Sequence, residues 1–138
     1  MSDINKEIEY ISSLKLSVHE LRKYYDRIDD PEVKENLKNV IVISDKIYKE
    51  VAVNSDKVYK VNNFIKYYIN TVKKVVDKYV TFKEAKVHGK DFEELYLKMN
   101  GFLEKVCVGF NKIYESLFSS EIIDIDAEIK IMFKEMNI

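Results

Sequence analysis

Apolar side chains in this chain return every three or four positions over long stretches that almost nothing interrupts. From the start, Ile4, Ile8, Ile11, Leu14, Val18, Leu21, Tyr25 and Ile28 step by 4, 3, 3, 4, 3, 4 and 3. A helix gathers residues so spaced onto one face because a turn takes 3.6 residues, whereas a strand would need alternation by two. Only three Gly and one Pro occur in 138 residues, so each breaker is informative. The chain must therefore build amphipathic helices and bury their stripes against one another.

The corners divide it. Ser2 or Asp3 can cap the first helix. Asp29-Asp30-Pro31-Glu32 reads as stop and restart, with Asp30 as N-cap and Pro31 in the first helical position. The second helix runs to about Val53, burying Val33, Leu37, Val40, Ile41, Ile47 and Val51. Asn54-Ser55-Asp56 opens a long third stretch whose inward residues run from Val58 through Phe64, Ile65, Tyr68 and Val72 to Val80. Asn62-Asn63 leaves two readings of it, one kinked helix or two shorter ones. Lys86-Val87-His88-Gly89-Lys90 is a loop, and Asp91 can cap a fourth helix. Its stripe is Phe92, Leu95, Met99, Phe102, Val106, Phe110, Ile113 and Leu117, with Gly101 and Gly109 as expected points of close helix contact. Ser119 to Ile123 reads as an extended link, after which Asp124 or Asp126 caps a last helix burying Ile129, Met132, Phe133 and Met136. The expectation is an all-α antiparallel bundle of about five helices, at roughly 3–28, 31–53, 56–86 (kinked or split near 62–63), 90–119 and 124–137, in a single domain over 1–138.

Composition narrows the function classes. A net charge of −1 supplies no global attraction to nucleic acid or anionic membrane. One cysteine excludes an internal disulfide and any multi-thiolate metal site. No apolar run nears the roughly 20 residues that cross a bilayer, and the amino terminus lacks the basic and apolar segments of a signal peptide. A cytoplasmic home is expected, and the lone thiol of Cys107 suits it. Charge is uneven, however. Lys57 to Lys78 holds six Lys and one Asp, while Glu115 to Ile138 holds six acids and two Lys. Either the acidic last helix lies on the basic third one, or the basic face is open to an acidic partner or to lipid headgroups. The residues of that face are Lys60, Lys66, Tyr67, Lys73, Lys74 and Lys78.

Reactive constellations are incomplete. His19-Glu20 begins like a zinc-protease helix, but position 23 is Lys instead of the second His. His88 stands alone in the loop. Cys107 has Ile113 where a thiolate phosphatase would carry Arg, and its apolar neighbours mark it as a small core residue. Asp124-Ile125-Asp126-Ala127-Glu128 lacks the sheet of an aspartate phosphatase and the turn-forming Gly of a calcium loop, and helix capping accounts for its acids. The pairs Tyr24-Tyr25 and Tyr67-Tyr68 suit packing at a core edge, ring inside and hydroxyl in water, while the second pair, interleaved with Lys66, Lys73 and Lys74, could also stack bases or sit at a membrane surface. No catalytic, cofactor or metal-ligating set is assigned.

The run Phe64-Ile65-Lys66-Tyr67-Tyr68-Ile69-Asn70-Thr71-Val72-Lys73-Lys74-Val75-Val76-Asp77-Lys78-Tyr79 resembles the signature of XpaC-type proteins, which carry the label of 5-bromo-4-chloroindolyl phosphate hydrolysis. Phe110 to Phe118 and Asp124 to Ile129 resemble the closing helices of the same family, so the likeness spans about Lys57 to Met136. It implies a bacterial, mostly helical protein, often encoded beside toxic-anion (tellurite) resistance proteins, with membrane-spanning amino-terminal segments in many relatives. The present chain departs from this by having no such segment, and by Asn70 where Pro is common. The resemblance transfers no catalytic residues.

The expected function is a non-catalytic interaction or adaptor protein with a protein partner, in toxic-anion resistance or envelope stress, cytoplasmic or peripheral at the inner face of the membrane. The alternative is a phosphomonoester hydrolase for indolyl phosphate-type substrates, acting through metal on Asp124, Asp126 and Glu128. A small-molecule binder with a pocket between helices is a third class. An uncovered apolar stripe on the first two helices would favour a homodimer.

Overall fold

The computed structural model describes residues 2–138, nearly all of them helical. Helix α1 spans Ser2–Asp26, α2 Pro31–Val53, α3 Ile69–Glu84, α4 Lys90–Ser116 and α5 Ser119–Met136. Between α2 and α3 the backbone winds through a 3-10 segment, Ser55–Val61, and a π segment, Phe64–Tyr68. No strand occurs among the described residues.

The Pro31 corner forms as its residues dictate. The Asp30 carboxylate accepts from the N–H groups of Glu32 and Val33, at 3.0 and 3.1 Å, and Pro31 occupies the position where a missing donor costs nothing. The short turn sends α2 back along α1, with Lys34 over the Tyr25 ring and Arg22 near Asp45. Helices α3 and α4 form a second antiparallel hairpin, joined by edge-to-face rings of Tyr79 with Tyr96 and Phe82 with Phe92. Phe64, just ahead of α3, meets Phe110 of α4 in the same way.

The hairpins lie side by side, so neighbours from different hairpins run parallel. Along α1 and α3 the partners advance together: Tyr10 with Lys66, Ser17 and Glu20 with Lys73, Tyr24 with Asp77, Arg27 with Glu84. On the other side α2 packs on α4, where the side-chain amides of Asn36 and Asn100 pair at 2.9 Å. Leu14, Leu37, Ile47, Ile69 and Leu103 meet in one fully buried cluster between the four helices.

Several expectations need correction. Helix α1 already includes Ser2 and Asp3, so Asp3 belongs to the first turn instead of capping it, and the residue ahead lies outside the described residues. Ile4 and Ile8 are more than half exposed, because the first turns of α1 overhang the core and meet only the 3-10 segment, where the Tyr59 hydroxyl donates to the Asp3 carbonyl.

The third stretch divides at Asn62-Asn63, the split reading of the two: a 3-10 segment ends at Val61 and a π segment begins at Phe64. Its pitch changes from 3-10 through a π turn to α, and the Ile69 N–H donates five residues back to Phe64. That wide turn disturbs the ladder, and the Asn70 side-chain amide fills the gap by donating to the carbonyls of Lys66 and Ile65 at 2.9 and 3.3 Å. The extra residue also rotates the helical face. Phe64, Ile65 and Ile69 stay buried while Tyr68, expected inside, is turned out.

Helix α4 starts from Gly89, whose φ of 140° lies where only glycine is at ease, so Asp91 falls within the first turn. A side chain at Gly101 or Gly109 would meet nothing within 4 Å, so neither glycine marks a close contact.

The largest departure is the carboxy terminus. Ser119 to Ile123 is helical, because no breaker follows Gly109 and only Leu117 and Phe118 separate α4 from α5. Asp124 and Asp126 are therefore mid-helix residues, and no residue of α5 is buried. Ile129, Met132, Phe133 and Met136, expected in the core, are 44 to 56% exposed. The acidic helix does not lie on the basic third one.

Candidate functional site

The predicted basic face is divided by the way α3 packs. Lys73 turns into the inter-hairpin seam, 2.7 Å from Glu20 and donating to the Ser17 hydroxyl at 3.2 Å. Lys66 lies over the Tyr10 ring, with its ammonium 5.2 Å from the ring centre. A side-chain hydrogen bond with Tyr10, with charge attraction to the same group, holds Lys66 above its ordinary 10.5. Lys60 reaches toward the Ser120 hydroxyl at the start of α5. Lys74 and Lys78 are exposed and have no ion pair among the described residues, and Tyr67 beside them is 64% exposed. The outward surface of the π segment and α3 is thus Tyr67, Lys74 and Lys78, and Lys60, Lys66 and Lys73 serve neighbouring elements.

Lys57 is the residue that periodicity could not single out. It is the one buried lysine among the described residues, and its ammonium pairs with Glu50 of α2 at 2.8 Å and Glu121 of α5 at 2.6 Å. It also sits over the Phe118 ring, 4.6 Å from its centre. Glu121 first and Glu50 second hold the ammonium above its ordinary value, and Lys57 in turn holds Glu50 below its ordinary 4.5. This junction fixes where α5 leaves the bundle. Its sequence signal was a lysine one residue before a core valine, indistinguishable from a solvated one.

Beyond the junction α5 presents a bare stripe. Ile122, Ile125, Ile129, Met132 and Met136 step by 3, 4, 3 and 4, so they share one face, and all are exposed. A second uncovered apolar surface is the groove between α3 and α4, where the two helices meet sparingly. Its walls are Tyr68, Thr71 and Val72 on one side and Phe102, Val106 and Ile113 on the other, with Gly109 opening the floor, and its volume is about 420 Å³.

Other clefts lie at the ends and flanks of the bundle. One of about 400 Å³ lies at the end of the α1–α3 seam, where Arg27 pairs with Glu84 and Asp30 is occupied as N-cap. Tyr79 borders it, and burial pushes its hydroxyl up to about 12, with Asp30 adding to the effect. A hydroxyl so reluctant to ionise is no base near neutrality. Cys107 is half-buried against Asn111, whose amide donates to the Cys107 carbonyl at 2.8 Å. His88 pairs with Glu93, and His19 is exposed on α1. Asp126 pairs with Lys130, one turn on, and stands on a different face from Asp124 and Glu128. No group of three or more His, Cys, Asp or Glu converges among the described residues. No helix of the described residues is long and apolar enough to cross a membrane.

The profile of a family described as "5-bromo-4-chloroindolyl phosphate hydrolysis protein" fits residues 5–132, nearly the whole chain. Neither a curated protein nor a solved structure matches significantly.

Proposed function

The chain belongs to the 5-bromo-4-chloroindolyl phosphate hydrolysis protein family, and from that premise we propose that it is a non-catalytic interaction protein that docks protein partners. The observation that carries this reading is α5: eighteen residues of amphipathic helix without a buried side chain. Exposed apolar stripes of this kind mark binding surfaces. The free cations of Lys74 and Lys78 beside Tyr67 offer an acidic protein partner a second contact. The setting that the XpaC resemblance suggests is toxic-anion resistance or envelope stress, in the cytoplasm or at the inner face of the membrane.

Capture with the tagged chain from its native bacterium tests the reading. The expected result is an acidic partner that is retained at low salt, released as salt rises, and lost from Tyr67→Ala/Lys74→Glu/Lys78→Glu. Recovery of the same proteins by wild type and variant would overturn the basic-face assignment. Lys73 is left intact because its reversal would strand Glu20.

The family description favours a second reading, hydrolysis of an aryl phosphate. Purified protein is expected to leave indolyl phosphate intact with and without divalent cations. Turnover that survives removal of host phosphatases, and falls on chelation and in Asp126→Ala, would install the hydrolase in place of the adaptor.

A further inference from the structure

Helices α4 and α5 carry matching seven-residue charge rows. On α5 the stripe residues Ile122, Ile125, Ile129, Met132 and Met136 occupy the seam positions of a coiled coil, and Glu121, Glu128 and Glu135 flank them at intervals of seven. On α4 the groove wall of Phe102, Val106, Gly109 and Ile113 steps by 4, 3 and 4, flanked at intervals of seven by Lys98, Lys105 and Lys112. The three lysines are exposed and have no ion pair among the described residues. The glutamates and the lysines hold equivalent positions in their repeats. In an antiparallel helix pair such positions face each other, so α5 fits an α4 surface with opposite charges opposed along its length. Two α5 helices packed together would instead set Glu rows against each other when antiparallel, and Glu121 against Asp126 when parallel.

The occupant of the groove follows from the junction. Glu121 and Phe118 are held on Lys57, and Leu117 is fully buried, so α5 cannot fold back onto its own α4 without dismantling that anchor. We propose that the groove between α3 and α4 receives α5 of a second copy of this chain, and that two copies exchange these arms reciprocally. Glu128 and Glu135 then meet Lys105 and Lys98 of the second copy, while Glu121 stays on its own Lys57. Reciprocity repeats the arm–groove contact twice in the dimer, which helps a single 18-residue helix toward the area a stable dimer needs. The acidic flank of α5 opposes docking onto anionic lipid. This inference rests on the reading of α5 as a docking helix, and it names the partner.

Light scattering of the full chain after size exclusion tests it, with two surface variants, Glu128→Lys/Glu135→Lys on the arm and Lys98→Glu/Lys105→Glu on the groove rim. Wild type is expected at twice the 16.4 kDa of one chain. Each variant alone sets like charges together and is expected to run as a monomer with unchanged helix content. An equimolar mixture of the two is expected to return to a dimer, because both arm–groove contacts regain opposite charges. A monomeric wild type, a dimer indifferent to both reversals, or a mixture that stays monomeric would each overturn the exchange. Lys60, Lys66, Tyr67, Lys74 and Lys78 are untouched, so loss of the acidic partner and loss of the dimer are read in separate measurements.

Discussion

Helices α4 and α5 follow one another with two residues between them, and both carry an apolar stripe at the spacing of three and four. One is built into the bundle and the other stands clear of it. Tyr96, Met99, Leu103 and Phe110 of α4 are buried among α2, α3 and the π segment, whereas α5 has no buried residue. The difference is one of supply. Four helices already enclose the core, and the Lys57 junction directs α5 away from the one open seam. A stripe states that a helix wants a partner, and only the arrangement of the other elements decides whether the same chain offers one.

The contrast is sharpest in stability. Leu103→Ala is expected to cost ~3 kcal/mol in urea unfolding, within the range for truncating a fully buried leucine in a core that cannot collapse around the gap. Ile129→Ser on α5, measured in the monomeric background of Glu128→Lys/Glu135→Lys, is expected to stay within ~0.5 kcal/mol, as surface substitutions do. A cost for Ile129→Ser near that of Leu103→Ala would mean that α5 belongs to the monomer's core.

Intermediate effects belong to the ends and the open faces of the helices. Asp30→Ala removes the cap of α2 and is expected to cost ~1 kcal/mol. Gly101→Ala is expected to raise stability by up to ~1 kcal/mol, since helical glycine is unfavourable and its Cβ would enter open space. Destabilisation there would show that the site is covered in solution.

The smallest effect concerns pH at the junction. Lys57 depresses the Glu50 pKa below 4.5, so the pair stabilises the fold above that value and is lost as pH falls through the folded-state value. The amides of residues 118–122 are expected to exchange faster, relative to core amides, at about pH 3 than at about pH 6, and Glu50→Gln, which leaves Lys57 paired with Glu121 alone, is expected to narrow that difference. Equal relative protection at both pH values in the wild type would remove Lys57 as the anchor of α5.

Much of the fold was legible along the chain. The Asp30-Pro31 corner, the loop ahead of Gly89 and the buried faces of α2 and of α3 beyond Ile69 follow from local chemistry, because caps, breakers and helical period act over a few residues. The candidate surface was only partly legible. Six residues of one basic segment were read as one face, but the π turn and the parallel α1–α3 seam send Lys66 and Lys73 toward α1 and leave Tyr67, Lys74 and Lys78 outside. Lys57 escaped notice because its partners Glu50 and Glu121 lie 7 and 64 residues away, at the ends of other elements.

The order of residues alone makes this protein helical, sets where its first corner falls, and gives its last helix one oily face with acids beside it. Those properties depend on backbone geometry and on neighbours within a turn. The tertiary structure decided which stripes found cover: two hairpins set side by side leave room for four helices, bury a lysine at the exit, and hold the fifth helix out in water. Burial depends on what the rest of the chain brings to the same place, and no periodicity records that.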